Sequence, residues 1–261
     1  MRNPTLSAAA VLILICFFPI ATVAANPSKK WETVERHFFA AHAPYGDYIS
    51  KWDPDWIEHH LEVNLAAVGR NKVDEIISQV ASLPNLGSLS LTVERIYNDW
   101  GALVEDDVIR SYSMIVSSEI KVARLSENDM IWLDEYLEAN KSVKRATRPV
   151  HQDGCEAVIR VSDETTKYLI PPGFIGKGLV FYYGPRASIT EEDCYARGLL
   201  VALGLSPEIL FADIRHPLSK EELNEALSAL DLLYHPSLKH GMTRDEVLQV
   251  LTVEGLLDPL K

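Results

Sequence analysis

Cysteine is scarce in this 261-residue chain: there are three, and one, Cys16, lies in an apolar run near the start. Basic charge is also in deficit. Lys and Arg number 25 against 37 Asp and Glu, a formal net charge of −12, and the one basic cluster is Lys141 to Arg148. That balance argues against nucleic acid and anionic membrane as principal partners, because both reward concentrated positive charge. No Pro/Gly/Ser-rich linker and no internal repeat divides the chain, so residues 26–261 read as one domain large enough to bury a substantial core. Neither a G-x-S-x-G nucleophile elbow nor a P-loop is present. Gly173, Gly176 and Gly178 have a superficial likeness to a phosphate loop, but they precede a strand and read as a turn. Beyond residue 20 no apolar run is long enough to span a bilayer.

What the N-terminus does contain is the pattern of a secretory signal peptide over residues 1–25. Arg2 is followed by an apolar run, Ala8 to Ile20, and by the small residues Val23-Ala24-Ala25 before Asn26. A retained N-terminal anchor is the competing reading. Export to a secreted or periplasmic location leaves Cys155 and Cys194 as an even pair in an oxidising compartment. A bridge between them would join a strand to the head of a helix and stabilise by ~3–4 kcal/mol. A reactive cysteine is the alternative, and Asp153, Glu156, Glu192 and Asp193 disfavour the thiolate it needs.

That helix is the most informative stretch. Thr190 is an N-cap with Asp193 three residues on, and Ala196, Leu199, Leu200 and Leu203 form an apolar stripe at i, i+3, i+4 and i+7. Gly204 provides the left-handed residue that ends it. Gly198 lies mid-helix, where glycine costs roughly 1 kcal/mol against alanine, which implies close packing on a neighbour. Around the stretch, three pieces resemble an uncharacterised bacterial family of secreted zincin-like proteins. They are YISKWD (Tyr48 to Asp53), the helix from Cys194 to Leu205 ending in ALGL, and LYHPSLKHGMT (Leu233 to Thr243). Zinc peptidases of the zincin group carry H-E-x-x-H on such a helix, often continued by x-x-G-x-x-H/D, because two imidazoles four residues apart share a face. Aligned on Gly204, this chain has Arg197 and Val201 at the histidine positions, Gly198 at the glutamate position and Pro207 at the third-ligand position. None offers a lone pair to zinc. The family's helix typically has acidic residues and a glutamine there, so this chain departs further still.

The resemblance implies an α+β, zincin-like fold: a twisted mixed sheet with packed helices, then a helical C-terminal subdomain. The residue pattern agrees in outline. A helix over 28–42 leads in, as a possible appendage to the core. Strands are predicted over 56–65, 89–93, 108–116, 155–161 and 179–183, and helices from Asn71 to before Pro84 and from Ser126 to about Glu138. Ser219 with Glu222, and Thr243 with Glu246, make capping boxes for two closing helices.

The histidines do not assemble a ligand set by spacing. His59 and His60 are strand neighbours facing opposite ways, His37 and His42 are five apart, and His235 and His240 read as surface residues in a loop. Asp213 and His216 are at most a fragment of a site. Gly241-Met242 stands where a metzincin methionine turn would fall; an ordinary core methionine before a capped helix is the plainer reading. No cofactor and no metal are implied. Two functions remain. One is a non-catalytic pseudo-peptidase, a binding or envelope-associated protein with a cleft at Arg197, Gly198, Val201, Gly204 and Met242. Arg197, four residues before Val201, either offers a cation to a peptide terminus or carboxylate or lies over the surface of its helix. The other is a hydrolase or peptidase using a non-standard site, an analogy of fold only.

Overall fold

The computed structural model describes residues 29–39, 48–53, 61–65, 71–86, 91–94, 119–124, 154–161, 173–212 and 214–257. In chain order these form α1 (Lys29–Phe38), β1 (Leu61–Leu65), α2 (Asn71–Ala81), β2 (Leu91–Glu94), β3 (Glu119–Arg124), β4 (Cys155–Val161) and β5 (Ile175–Tyr182). The helices α3 (Glu191–Ala202), α4 (Pro207–Leu210), α5 (Lys220–Leu233) and α6 (Arg244–Val253) follow. The signal-peptide region, the strand expected at 108–116 and the helix expected after Ser126 fall outside the described residues. So do His42, His59, His60, Asp213 and the basic run at 141–148. Among the described residues no helix is long and apolar enough to cross a membrane.

Helix and sheet are mixed, and the sheet is mixed as well. Its five strands run in the order β2-β1-β3-β5-β4. β1 is parallel to β2 and to β3, and β3 is parallel to β5, whereas β4 is antiparallel to β5. Parallel neighbours need a crossover between them, and α2 supplies it for β1 and β2. The central strand β3 was missing from the predicted set, although its period-two signal is plain once located: Ile120 and Val122 are buried.

β5 also begins earlier than predicted, so Gly176 and Gly178 lie within the strand and not in the turn before it. The reason is the approach of α3. A Cβ on Gly178 would stand 2.9 Å from Ala202 Cβ, and one on Gly198 would stand 2.2 Å from Val180 Cγ1. Each element thus gives up one side chain to the other, and α3 packs closely on β5, with β4, β3 and α2 also in contact. From Asp193 to Ala202 every residue of α3 is buried. Cys194, at its head, is disulfide-bonded to Cys155 at the start of β4, Cα atoms 5.7 Å apart.

α1 is no appendage: its Trp31, Val34 and Phe38 belong to the same core as α3 and α5. Both closing helices start with the predicted capping boxes, Ser219–Glu222 and Thr243–Glu246.

With the added Cβ 2.2 Å from the stiff Val180 side chain, overpacking in Gly198→Ala is expected to cost about 2–3 kcal/mol. Alanine's helix propensity returns roughly 1 kcal/mol, so urea denaturation should show a net loss of about 1–2 kcal/mol. Adding Val180→Ala should recover part of the loss. A neutral or stabilising Gly198→Ala would show that the helix does not sit this close to the strand.

Candidate functional site

The face of α3 to which the resemblance assigns a metal site is part of the interior. Thr190 caps the helix as predicted: its hydroxyl oxygen accepts from Asp193 N–H at 3.2 Å and the hydroxyl donates to Asp193 Oδ2 at 2.8 Å. Asp193 Oδ1 in turn accepts from Leu218 N–H at 3.3 Å, which fixes the lead-in to α5 against the head of α3. Arg197 is 2 % exposed. Its Nη1 donates to the Leu210 carbonyl, and its Nη2 donates to that of His216 at 2.8 Å. The guanidinium closes the segment that follows α4 onto α3. It neither reaches a cleft nor lies over the surface, so both readings of this side chain are corrected.

The other motif positions are equally committed. Val201 is fully buried, Gly198 rests on Val180, and Pro207 opens α4 with its side chain buried. Gly204 has φ +110°, and a Cβ there would meet the Ser50 carbonyl at 2.3 Å. A zinc ion does not fit this set: no position has a lone-pair donor, and the cation present is already bonded to carbonyls. Among the described residues no group of three or more His, Cys, Asp or Glu side chains is arranged to hold a metal ion.

The C-terminus of α3 shows a full accounting of backbone groups. The last four carbonyls of a helix lack intrahelical partners, and burying them unpaired is costly. Leu205 N–H donates to Leu200 O at 3.2 Å and Gly204 N–H to Val201 O at 2.8 Å, the Schellman pattern that a positive-φ glycine permits. The Trp52 indole Nε1 donates to Ala202 O at 2.9 Å, and the Tyr234 hydroxyl donates to Leu203 O at 3.0 Å. The same hydroxyl accepts from Trp52 N–H at 3.2 Å. Burial raises its pKa, and the Asp53 charge adds to the effect.

Around this end the three segments YISKWD, ALGL and LYHPSLKHGMT come together. Residues 48–53 run between two others, with bridges from Tyr48 to Thr243 and from Lys51 to Phe174. Lys51, 5 % exposed, donates from Nζ to Leu238 O at 2.8 Å and Leu233 O at 3.3 Å, with the Tyr234 ring centroid 5.3 Å away. Its ammonium thus meets the last residue of α5, where a cation also opposes the helix dipole. Asp53 pairs with His240 Nε2 at 2.9 Å, and the His240 ring stands edge-on to Phe174. His240 is therefore a tethered residue and not the surface histidine expected. Met242 accepts from Ile49 N–H through its carbonyl at 2.9 Å, and its Sδ accepts from Lys239 N–H at 3.4 Å. It packs partly buried against the core as an ordinary methionine does.

Lys51, Asp53 and Tyr234 carry no local signal as site residues, because their partners lie far off along the chain. The arrangement as a whole joins segments.

Two substitutions test this reading by urea denaturation. Arg197→Met is expected to cost about 1–3 kcal/mol for each buried carbonyl left unpaired; an arginine held ready for a ligand would be removed at little cost. Tyr234→Phe, which removes only the hydroxyl, should cost about 1–3 kcal/mol for each of the two backbone groups that hydroxyl serves. No protein-family model, no curated protein and no solved structure matches this chain.

Proposed function

We propose that the chain is an exported, non-catalytic domain of zincin-like ancestry, a pseudo-peptidase that serves as a binding or envelope-associated protein. The observation that carries this reading is the closure of the Arg197 guanidinium onto Leu210 O and His216 O. A helix face that once displayed ligands would have to be open; this one is an internal joint. Three further features support the reading. A mixed sheet with α2 and α3 in contact, followed by the helices α4 to α6, agrees with the resemblance at the coarse level of an α+β architecture. The replaced motif positions have no metal-binding atoms. The Cys155–Cys194 disulfide suits the oxidising compartment to which a cleaved leader would deliver residues 26–261.

A ligand carboxylate held by Arg197 is not part of the proposal, because both terminal nitrogens of the guanidinium donate to backbone carbonyls. Binding, on this reading, is a property of the outer surface.

Purified protein, made without added metal and then exposed to zinc, is expected to retain far less than one zinc per chain by elemental analysis. Its thermal midpoint should be the same with and without EDTA. One tightly held zinc per chain, with a chelator-sensitive midpoint, would overturn the reading.

A further inference from the structure

α1 is ten residues long, too short to hold its shape without tertiary contacts. What fastens it is therefore what decides whether its apolar side is covered. Trp31, Val34 and Phe38 face the core. Arg244 of α6 reaches Glu35 at 3.1 Å and lies over the Phe39 ring at 5.5 Å, and Ser206 N–H donates to the His37 carbonyl at 2.7 Å. A further fastening is the His37 side chain. It is 2 % exposed, and its Nε2 is 3.3 Å from Glu225 Oε1 on α5. Its Nδ1 is sealed from water and has no hydrogen-bond partner.

We propose that the last turn of α1 is an acid-sensitive latch: neutral His37 holds the helix against α4 and α5, and a proton added at Nδ1 lets it lift. Facing a carboxylate, the neutral ring carries its hydrogen on Nε2 and donates it to Glu225. The second proton can go only to Nδ1, where it creates both a charge and an N–H donor with no acceptor. Among the described residues, Glu225 and Arg36 are the charges that act on the ring. Glu225 of α5 favours the imidazolium, but its side chain is 44 % exposed and water weakens its hold. Arg36, on the same helix, disfavours it; α4 contributes only the exposed Glu208, and α6 contributes Arg244, taken up by Glu35. Burial is the largest influence, and it holds the ring below the ordinary histidine value.

The sign follows from proton binding. With the folded value depressed, the undocked helix binds more protons than the docked one once pH falls to the ordinary histidine pKa. Docking is therefore at full strength above about pH 6.5 and weakens as pH falls below it. One proton can shift the docking equilibrium by at most tenfold per pH unit. Opening uncovers Trp31, Val34 and Phe38, so the device exposes an apolar surface on acidification, independently of the function proposed above.

Hydrogen exchange on the full chain tests this, with rates at pH 7.5 and 5.5 corrected for intrinsic exchange. Amides of α1 are expected to lose protection by up to about tenfold at pH 5.5 while those of α3 keep theirs. His37→Gln, whose amide can still donate to Glu225, should abolish the pH response. Glu225→Gln, at a half-exposed position, should enlarge it by removing the group that favours the imidazolium. The latch is wrong if α1 protection does not change with pH, if it falls together with that of α3, or if either variant responds as the parent does.

Discussion

A buried helix end must find partners for four carbonyls, and the way α3 meets that requirement fixes much of the chain around it. Two are taken by the backbone of Gly204 and Leu205; the other two need donors from elsewhere. Trp52 and Tyr234 supply them, from positions 150 and 31 residues away in sequence. Each is anchored in turn, because the Tyr234 hydroxyl also accepts the Trp52 amide. Lys51 does for the end of α5 what Trp52 does for α3, with Nζ on Leu233 O and Leu238 O. Residues 48–53 are thus a strap that closes two helix termini at once. Its interior position follows from the polar groups it must serve as well as from the apolar area of Ile49 and Trp52, both fully buried.

The same logic bears on the proposed zincin ancestry. On that reading, loss of histidines alone would leave a vacant helix face. Here Gly198 lets α3 approach β5, Val201 fills core, and Arg197 bonds to carbonyls of the segment leading to α5. An ammonium could not reproduce the planar fork with which a guanidinium bridges two acceptors. Each of these residues has a structural task at a position where the proposed ancestry would place a ligand, and the face is an internal contact.

Local physics was legible in the sequence and long-range pairing was not. The Thr190 cap, the Gly204 stop, both capping boxes and the limits of β4 follow from residue type and spacing within a few positions. The meaning of Gly198 was also legible in kind, since a mid-helix glycine implies a close neighbour, although Val180 could not be named. β3 escaped because EIKVAR is short and charged at both ends, and a more apolar segment before it drew the assignment. Gly178 has the sequence signature of a turn because glycine is commoner there than at a helix–strand contact. The Arg197, Lys51 and Tyr234 bonds had no local signal at all: each depends on a backbone carbonyl, which every residue possesses and no sequence marks.

The acidity of the chain illustrates how structure redistributes an apparently functional property. A net charge of −12 invites the idea of a surface made for a cationic partner. Yet Glu191, Glu192 and Asp193 open α3, Glu221 and Glu222 open α5, and Asp245 and Glu246 open α6. At a helix N-terminus a carboxylate faces unpaired N–H groups and the positive end of the dipole, which locally offset its charge. Several are bonded more closely still. Asp193 holds Leu218, Glu222 and Glu246 close their capping boxes, and Thr243 draws the Glu246 carboxyl below its ordinary range. These carboxylates are thus placed by the needs of helix ends, and their position in the fold is accounted for without an outside partner.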